Sequence, residues 1–468
     1  LKTSRNSSTF DLVIIGGGSA GYAAARKGAA EGLKTAVVEG GKEVGGTCIL
    51  SGCMPSKALL YASEVLHLAR SAKTWGLKIP KAGFDFKAVM ARKKVVIDDC
   101  VQDRCQGLTS GKFKFIRANA RFVDAHTVAL SEAQPGTPPS IQAKHFVICT
   151  GSVVSPAAVP GLAQTGYLTS EDALSLRKLP KSLIVLGGGP VALELAQFLR
   201  RFNVEITLIQ RGGQLLREFD ADAAAVVESV LKREGVRIWK DTTLTKAFRH
   251  GRNKGVAFEH GGKSHRVMAE NILFALGRSP ATTWLNLEKA GVKTDSGRIL
   301  TNAHMQTSAP HIYAAGDCTG PHAIVHIAVE QGEIAAHNIA SPSARQRIDY
   351  RLLTNVVFTD PQMASVGLTE KEARTKKIPF KAASYPFNDH GKSLIMDATD
   401  GFVKLLADPA SGEILGGTCA GVLGGELIHE IIAAMHHRMT ARELALMPHY
   451  HPTLAEIWTY PAAELAGL

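Results

Sequence analysis

Twice in this chain a short apolar strand runs into three glycines and then into a helical stretch. The first copy reads Phe10-Asp-Leu-Val-Ile-Ile-Gly-Gly-Gly-Ser-Ala-Gly21, and after its alanine-rich helix comes a second strand, Thr35-Ala-Val-Val-Glu39. Gly16 permits a tight turn, Gly18 lets the backbone approach a pyrophosphate, and Gly21 allows close helix–strand packing. Glu39, ending the second strand, is placed to accept hydrogen bonds from a ribose. The second copy, Ser182-Leu-Ile-Val-Leu-Gly-Gly-Gly-Pro190, again leads into a helix and a strand, Glu205-Ile-Thr-Leu-Ile209. Two such units exclude a dehydrogenase built on one nucleotide and imply two dinucleotides facing each other through shared chemistry.

A chain of 468 residues is too long for a single core. The apolar share of 45% and charged share of 21% read as a soluble globular protein. No run reaches the apolar length of a membrane span. The start, Leu1 to Thr9, is polar and Ser-rich, so it does not read as a secretory signal. The net charge of +12 fits either a solvated basic surface or a patch for anionic dinucleotides or an acidic carrier protein. No basic block with interleaved aromatics argues for nucleic acid. Seven cysteines without a secretory signal point to a reducing, cytoplasmic setting, where a disulfide would be catalytic.

Gly45-Gly-Thr-Cys-Ile-Leu-Ser-Gly-Cys-Met-Pro-Ser-Lys57 holds two cysteines five positions apart at the mouth of a helix. They can close a small disulfide, and a helix N-terminus favours a thiolate through its dipole and free amides. Cys100 and Cys105 share that spacing inside Val95–Leu108. There it means a rotation of about 500° around a helix, so those side chains point apart. Near the C-terminus, His449-Tyr-His-Pro-Thr-Leu-Ala-Glu456 offers an imidazole and a carboxylate. Exchange between a thiol and a disulfide needs a base, and a carboxylate on the other ring nitrogen fixes the tautomer. His451 and Glu456 have the right types, whereas His449 is either a further site residue or one that only packs or lines the entrance.

With these motifs in view, the chain resembles the flavoprotein disulfide reductases, the class I pyridine nucleotide-disulfide oxidoreductases. Dihydrolipoamide dehydrogenase, glutathione reductase and mercuric reductase belong to that class, and the resemblance spans residues 10 to 460. It implies an α/β fold with two Rossmann-like domains, for FAD and NAD(P), and a C-terminal α+β dimerisation domain. The expected division is residues 1–155 and 281–349 for FAD, 156–280 for NAD(P) and 350–468 for dimerisation. It implies that Cys53 is the flavin-proximal thiolate and Cys48 the interchange thiol. Lys57 and Glu194 match a pair that sits beside the flavin's reactive nitrogen. The His-Pro-Thr segment implies that His451, backed by Glu456, is the base and enters the other subunit's site, so that a homodimer is the catalytic unit. Gly46 and Thr47, with Thr150, Gly151, Gly277, Arg278, Gly316 and Asp317 at the ends of short strands, complete the cofactor contacts. No metal site is expected.

The pattern His-x-His-Pro-Thr and the stretch Asp400-Gly-Phe-Val-Lys-Leu-Leu look like dihydrolipoamide dehydrogenase. Ala192-Leu-Glu-Leu-Ala-Gln197 and Phe358-Thr-Asp-Pro361 look more like mercuric reductase. A metal-transferring enzyme needs thiolates to hand the ion inward, and Glu464-Leu-Ala-Gly-Leu468 carries none. The second loop presents Gly187, Gly189 and Ala192, and its strand ends in Gln210 and Arg211, with Arg217 beyond. A carboxylate here would select NAD, whereas Gln210 repels nothing and the two arginines can pair with a 2′-phosphate, as in glutathione reductases. The expectation is therefore a dihydrolipoamide dehydrogenase-like enzyme favouring NADP(H), with NAD(H) possible and a lipoyl carrier protein as candidate partner. The alternatives are an NADPH-dependent mercuric, metal-ion or quinone reductase, and a non-catalytic flavoprotein subunit that docks a lipoyl carrier.

Overall fold

The computed structural model describes residues 9–468, and the polar stretch ahead of Thr9 lies outside the described residues. The chain divides into two compact units, one of Leu1–Pro55, Ala91–Pro156 and Gly277–Asp349, the other of Ser56–Met90, Ala157–Leu276 and Tyr350–Leu468.

In the first unit, strands β1 (Thr9–Ile15), β2 (Thr35–Glu39), β3 (Lys114–Arg117), β4 (Asn119–Phe122), β5 (Thr127–Ser131) and β6 (Ser140–Ile148) form a sheet in the order β3-β2-β1-β6-β5-β4. β6 serves two neighbours besides β1. Its start pairs antiparallel with β5, and its Phe146–Ile148 end pairs parallel with the strand Ile312–Ala314. The unbroken apolar runs follow from burial on both faces. Leu12, Ile14, Val37 and Val147 pack into one cluster with Ala20 and Ala24 of helix α1 (Ser19–Ala30). Val13, Ile15, Val38, Phe146 and Ile148 pack into another with Phe122 and Ile312. Each large side chain fully buried this way contributes roughly 1.5–3 kcal/mol. The register sets Ile15 opposite both Val38 and Ile148, so the loops leaving the three strands start at one level.

The second unit repeats that logic in a parallel sheet ordered Arg237–Trp239, Glu205–Ile209, Ser182–Leu186, Asn271–Phe274. Leu183, Val185, Ile206 and Leu208 are buried with Leu193, Ala196 and Leu199 of the helix Pro190–Arg201. A five-stranded antiparallel sheet follows, ordered Thr354–Val357, Gln362–Gly367, Ile414–Gly421, Phe402–Ala407, Lys381–Pro386. Ile428, Ile431 and Met435 of the helix Gly424–His436 cover it, together with Trp458. The sequence suggests two amphipathic helices after Tyr350, whereas the described residues there form five α-helices. Glu370–Thr375, Gly391–Ile395 and Ala441–Leu446 have only five or six residues each, too few for a helical period to register.

Candidate active site

The first glycine loop is held by contacts that leave no room for a side chain. Gly16 has φ +105°, and a Cβ there would stand 2.4 Å from the Cys149 carbonyl oxygen. A Cβ on Gly21 would meet the Gly16 carbonyl at 1.8 Å, and one on Gly46 would meet Gly18 Cα at 2.7 Å. Helix α1 begins at Gly18 with no side-chain cap and no acid in its first turn. Its free amides therefore suit an anionic group such as a pyrophosphate. The Glu39 carboxylate accepts from Gly17 N at 2.7 Å and Gly41 N at 2.6 Å, which fixes it at the end of β2 with lone pairs to spare.

Thr150, Gly151, Gly277, Arg278, Gly316 and Asp317 cluster around one further set of contacts in the same unit. Asp317 Oδ2 accepts from Ser152 Oγ at 2.6 Å. Arg278 donates to Ser152 Oγ and to the Ser152 carbonyl, both at 2.8 Å. Gly316 N donates to Oε1 of the buried Gln331 at 2.8 Å. Gly151 (φ +71°), Gly277 (φ +125°) and Gly316 (φ +81°) all sit in the left-handed region that glycine tolerates.

Burial sorts the cysteines. Cys149, Cys318 and Cys419 are enclosed, and burial pushes their thiols up, Cys318 to about 11. Such thiols are poor nucleophiles. Cys48 lies on the short helix α2 (Gly46–Leu50), Thr47 just before it, and Cys53 is the first residue of the long helix α3 (Cys53–Ser71). Both are half-buried. Cys100 and Cys105 fall inside one helix, α4 (Phe86–Thr109), where their spacing sends the side chains to different faces.

In the second unit, Lys57 Nζ donates to Glu194 Oε2 at 2.8 Å and stands 4.5 Å from the centre of the Phe358 ring. Glu194 is buried on the helix Pro190–Arg201, and its Oε1 accepts from Phe358 N at 2.9 Å. The second glycine loop repeats the first. Gly187 has φ +119° with a would-be Cβ 2.5 Å from the Ala275 carbonyl, while Gly189 faces open space at an uncapped helix start. Ala192 is buried in the first turn behind it. Gln210 folds back toward Gly188 and donates to the Gln214 carbonyl at 3.3 Å. Arg211 is exposed, and Arg217 is exposed with an ion pair to Glu218 at 3.0 Å.

His451 and Glu456 meet. Nδ1 lies 3.0 Å from Oε2 and 3.2 Å from Oε1 of a carboxylate that is largely buried, while 76% of the imidazole is exposed. His449 packs: Glu430 and the Met447 carbonyl hold its ring nitrogens, and the side chain is 8% exposed. Sequence reasoning missed Ser152, Gln331 and His390, and it read Phe358 only as part of a family-like stretch. Each meets a candidate residue elsewhere in the chain, and no local pattern marks the contact.

Residues 10–332 match the model of the pyridine nucleotide-disulphide oxidoreductases, and residues 353–462 match that family's dimerisation domain. A dihydrolipoyl dehydrogenase of Thermus scotoductus is 37% identical over 461 residues, covering 96% of this chain and 95% of that protein. A mercuric reductase of Staphylococcus aureus is 34% identical over 437 residues, covering 93% and 78%. Among solved structures, the Cu(II) complex of the HOCl-induced flavoprotein disulfide reductase RclA from Escherichia coli superposes with a TM-score of 0.87 at 25% identity, covering 98% and 99%.

Proposed function

The chain belongs to the pyridine nucleotide-disulphide oxidoreductases, FAD-dependent enzymes of α/β fold, and on that premise we propose that it passes electrons between a lipoyl-type dithiol and NADP(H). The observation that carries this reading is the His451–Glu456 pair, an exposed imidazole oriented by a buried carboxylate, in a chain that also has Cys48 and Cys53 at two helix starts. A non-catalytic docking subunit would need neither feature. The family's dimerisation domain supports a homodimer, and no described helix is long and apolar enough to cross a membrane.

The glycine loop with Glu39 has the closed backbone and free helix amides that fit FAD, and the loop at Gly187 and Gly189 fits the second dinucleotide. Bound FAD would supply the carrier for an electron pair between the thiols and the nicotinamide. In the oxidative direction, Nδ1–H of His451 donates to Glu456, and Nε2 accepts the proton of a substrate thiol. The thiolate so formed attacks Cys48 Sγ, breaks the Cys48–Cys53 disulfide and releases Cys53 as thiolate. The second substrate thiol then attacks the substrate sulfur of the mixed disulfide, closing the product disulfide, while its proton passes to the departing Cys48, which leaves as a thiol. Cys53, at the start of a 19-residue helix, is the thiolate that the helix dipole steadies.

Similarity to a mercuric reductase and to a structure solved with Cu(II) favours one second reading, reduction of a soft metal ion by the same thiols. Steady-state rates with dihydrolipoamide and NADP or NAD, and with lipoamide, Hg(II) or Cu(II) and NADPH or NADH, decide between them. Rapid lipoamide turnover supports the first reading. Metal-dependent NADPH oxidation without lipoamide turnover supports the second.

A further inference from the structure

Glu456 faces two imidazoles. His451 takes one side of the carboxylate, and on the other His390 Nε2 stands 3.4 Å from Oε1. His390 is 0% exposed, its Nδ1 lies 2.8 Å from Oγ of the equally buried Ser393, and its Nε2 has no well-aligned hydrogen-bond partner among the described residues. Tyr460 meets the His390 ring edge-on at 6.3 Å and stacks on Tyr385, whose hydroxyl is bound to Asp389.

Burial pushes the His390 imidazole below its ordinary value, against the pull of Glu456, and charge on His451 pushes the same way as burial. The ring is therefore neutral at working pH and carries one proton. With that proton on Nδ1, the Nε2 lone pair would face a carboxylate and the two would repel. With it on Nε2, the Ser393 hydroxyl donates to Nδ1 and the N–H dipole points at Glu456. At 3.4 Å that is a charge–dipole contact inside a water-poor site, where such contacts count for more than in water.

We propose that His390 is a positioning residue for the catalytic dyad: its Nε2–H, set by Ser393, holds the Glu456 carboxylate in place and moderates its charge. The proposal rests on the reading of His451 as the base. With the carboxylate steadied from behind, its remaining lone pairs meet His451 Nδ1–H and the outer nitrogen of His451 stays available. Removing the donor concentrates charge on Glu456, which then holds a proton on His451 more tightly. A more alkaline pH is needed to free the base.

The test uses the FAD-loaded dimer, with dihydrolipoamide as thiol probe, and follows kcat/KM against pH beside the rate of flavin reduction by NADPH, which needs no thiol base. In His390→Leu the acid limb should move to higher pH and the thiol reaction should fall about threefold, less than a full hydrogen bond would give. The NADPH half-reaction should not change. His390→Gln, which can place an N–H near the same point, should restore the limb, and Ser393→Ala should move it part of the way. Unchanged limbs in His390→Leu and Ser393→Ala, or equal losses in both half-reactions, overturn the proposal. Should His390→Leu fail to fold, Ser393→Ala and His390→Gln still decide it: a wild-type limb in the first overturns it. His451→Ala separates the two readings. A dead His451→Ala beside silent His390 variants overturns this inference alone, and an active His451→Ala overturns both.

Discussion

Lys57 and Glu194, separated by 137 positions in sequence, are joined by a 2.8 Å ion pair whose carboxylate end is almost fully enclosed. The same carboxylate receives the Phe358 amide, so Glu194 ties three segments of the second unit together. Glu194→Ala should strand an ammonium and a backbone N–H and cost about 3 kcal/mol, in line with the loss of one partner from a buried pair. Glu194→Gln keeps an acceptor for the amide and should cost less than half of that. Urea unfolding of the two variants checks the ratio, and equal, negligible costs would contradict it.

The assignment of the two half-buried thiols can be read from colour. With Cys53 as the flavin-side thiolate, two-electron reduction should give a long-wavelength absorbance band that Cys48→Ser retains and Cys53→Ser loses. The opposite pattern reverses the roles.

A base that enters the neighbouring subunit makes two dead variants complementary. Cys48→Ser and His451→Ala homodimers should each be inactive, and subunit mixing should recover up to about a quarter of the wild-type rate, because half of the molecules are heterodimers and each has one intact site. Full activity in a monomeric fraction rules the arrangement out.

The parts of the fold that were legible in the sequence are those whose cause is local. Thr35–Glu39, Ser182–Leu186 and Glu205–Ile209 stand in the structure as the apolar runs suggest, because each run is buried on both faces and ends at a turn residue. The Gly16 turn was legible because only glycine accepts its φ and its contact with Cys149. His451 and Glu456, five positions apart, have types that allow a pair, and the resemblance of the His-Pro-Thr segment singles them out. The contact of the Phe358 amide with Glu194 and that of the His390 ring with Glu456 were not legible, since only tertiary packing brings these residues together. The short helices after Tyr350 escaped for a different reason, having too few turns to show a period.

Lys404 offers a test of electrostatic stability away from the thiols. It is 4% exposed and surrounded by Asp220, Asp222 and Glu370 at 2.8–3.1 Å. Burial pushes Glu370 up, but hydrogen bonds from Arg374 and Lys404 outweigh it and hold the carboxyl below its usual range. Its contribution is thus present above the unfolded value and lost as pH falls through the folded one. Burial pushes Lys404 down, yet Asp222 and Glu370 bring it above its ordinary value, so its contribution persists below the unfolded value and is lost as pH rises through the folded one. The cluster should stabilise the fold across roughly pH 5–10. Lys404→Met should cost about 3 kcal/mol at neutral pH and shift acid unfolding to higher pH. Circular dichroism against pH measures both, and an unchanged acid midpoint would show that the lysine does not hold Glu370 ionised.

Nucleotide choice turns on the end of the strand Glu205–Ile209. Gln210 is occupied with its own loop and carries no charge to claim a ribose 2′-hydroxyl or to repel a 2′-phosphate. Arg211 and Arg217 are exposed, and the Arg217 guanidinium forms a surface pair with Glu218, which a phosphate can displace. A charge-assisted hydrogen bond contributes about 1.5–3 kcal/mol in favourable geometry, and solvent exposure reduces it. NADPH should therefore be preferred by about tenfold to a few hundredfold, with NADH tolerated. Replacing both arginines by alanine should raise the Michaelis constant for NADPH and leave that for NADH nearly unchanged. Gln210→Glu should add discrimination toward NAD, because a carboxylate both accepts from the ribose hydroxyls and repels the phosphate. Specificity constants for both cofactors in the wild type and these variants measure each effect separately. A wild-type preference for NAD, unmoved by loss of the arginines, would mean that they are ordinary surface residues and that the 2′-phosphate is not recognised at this strand end.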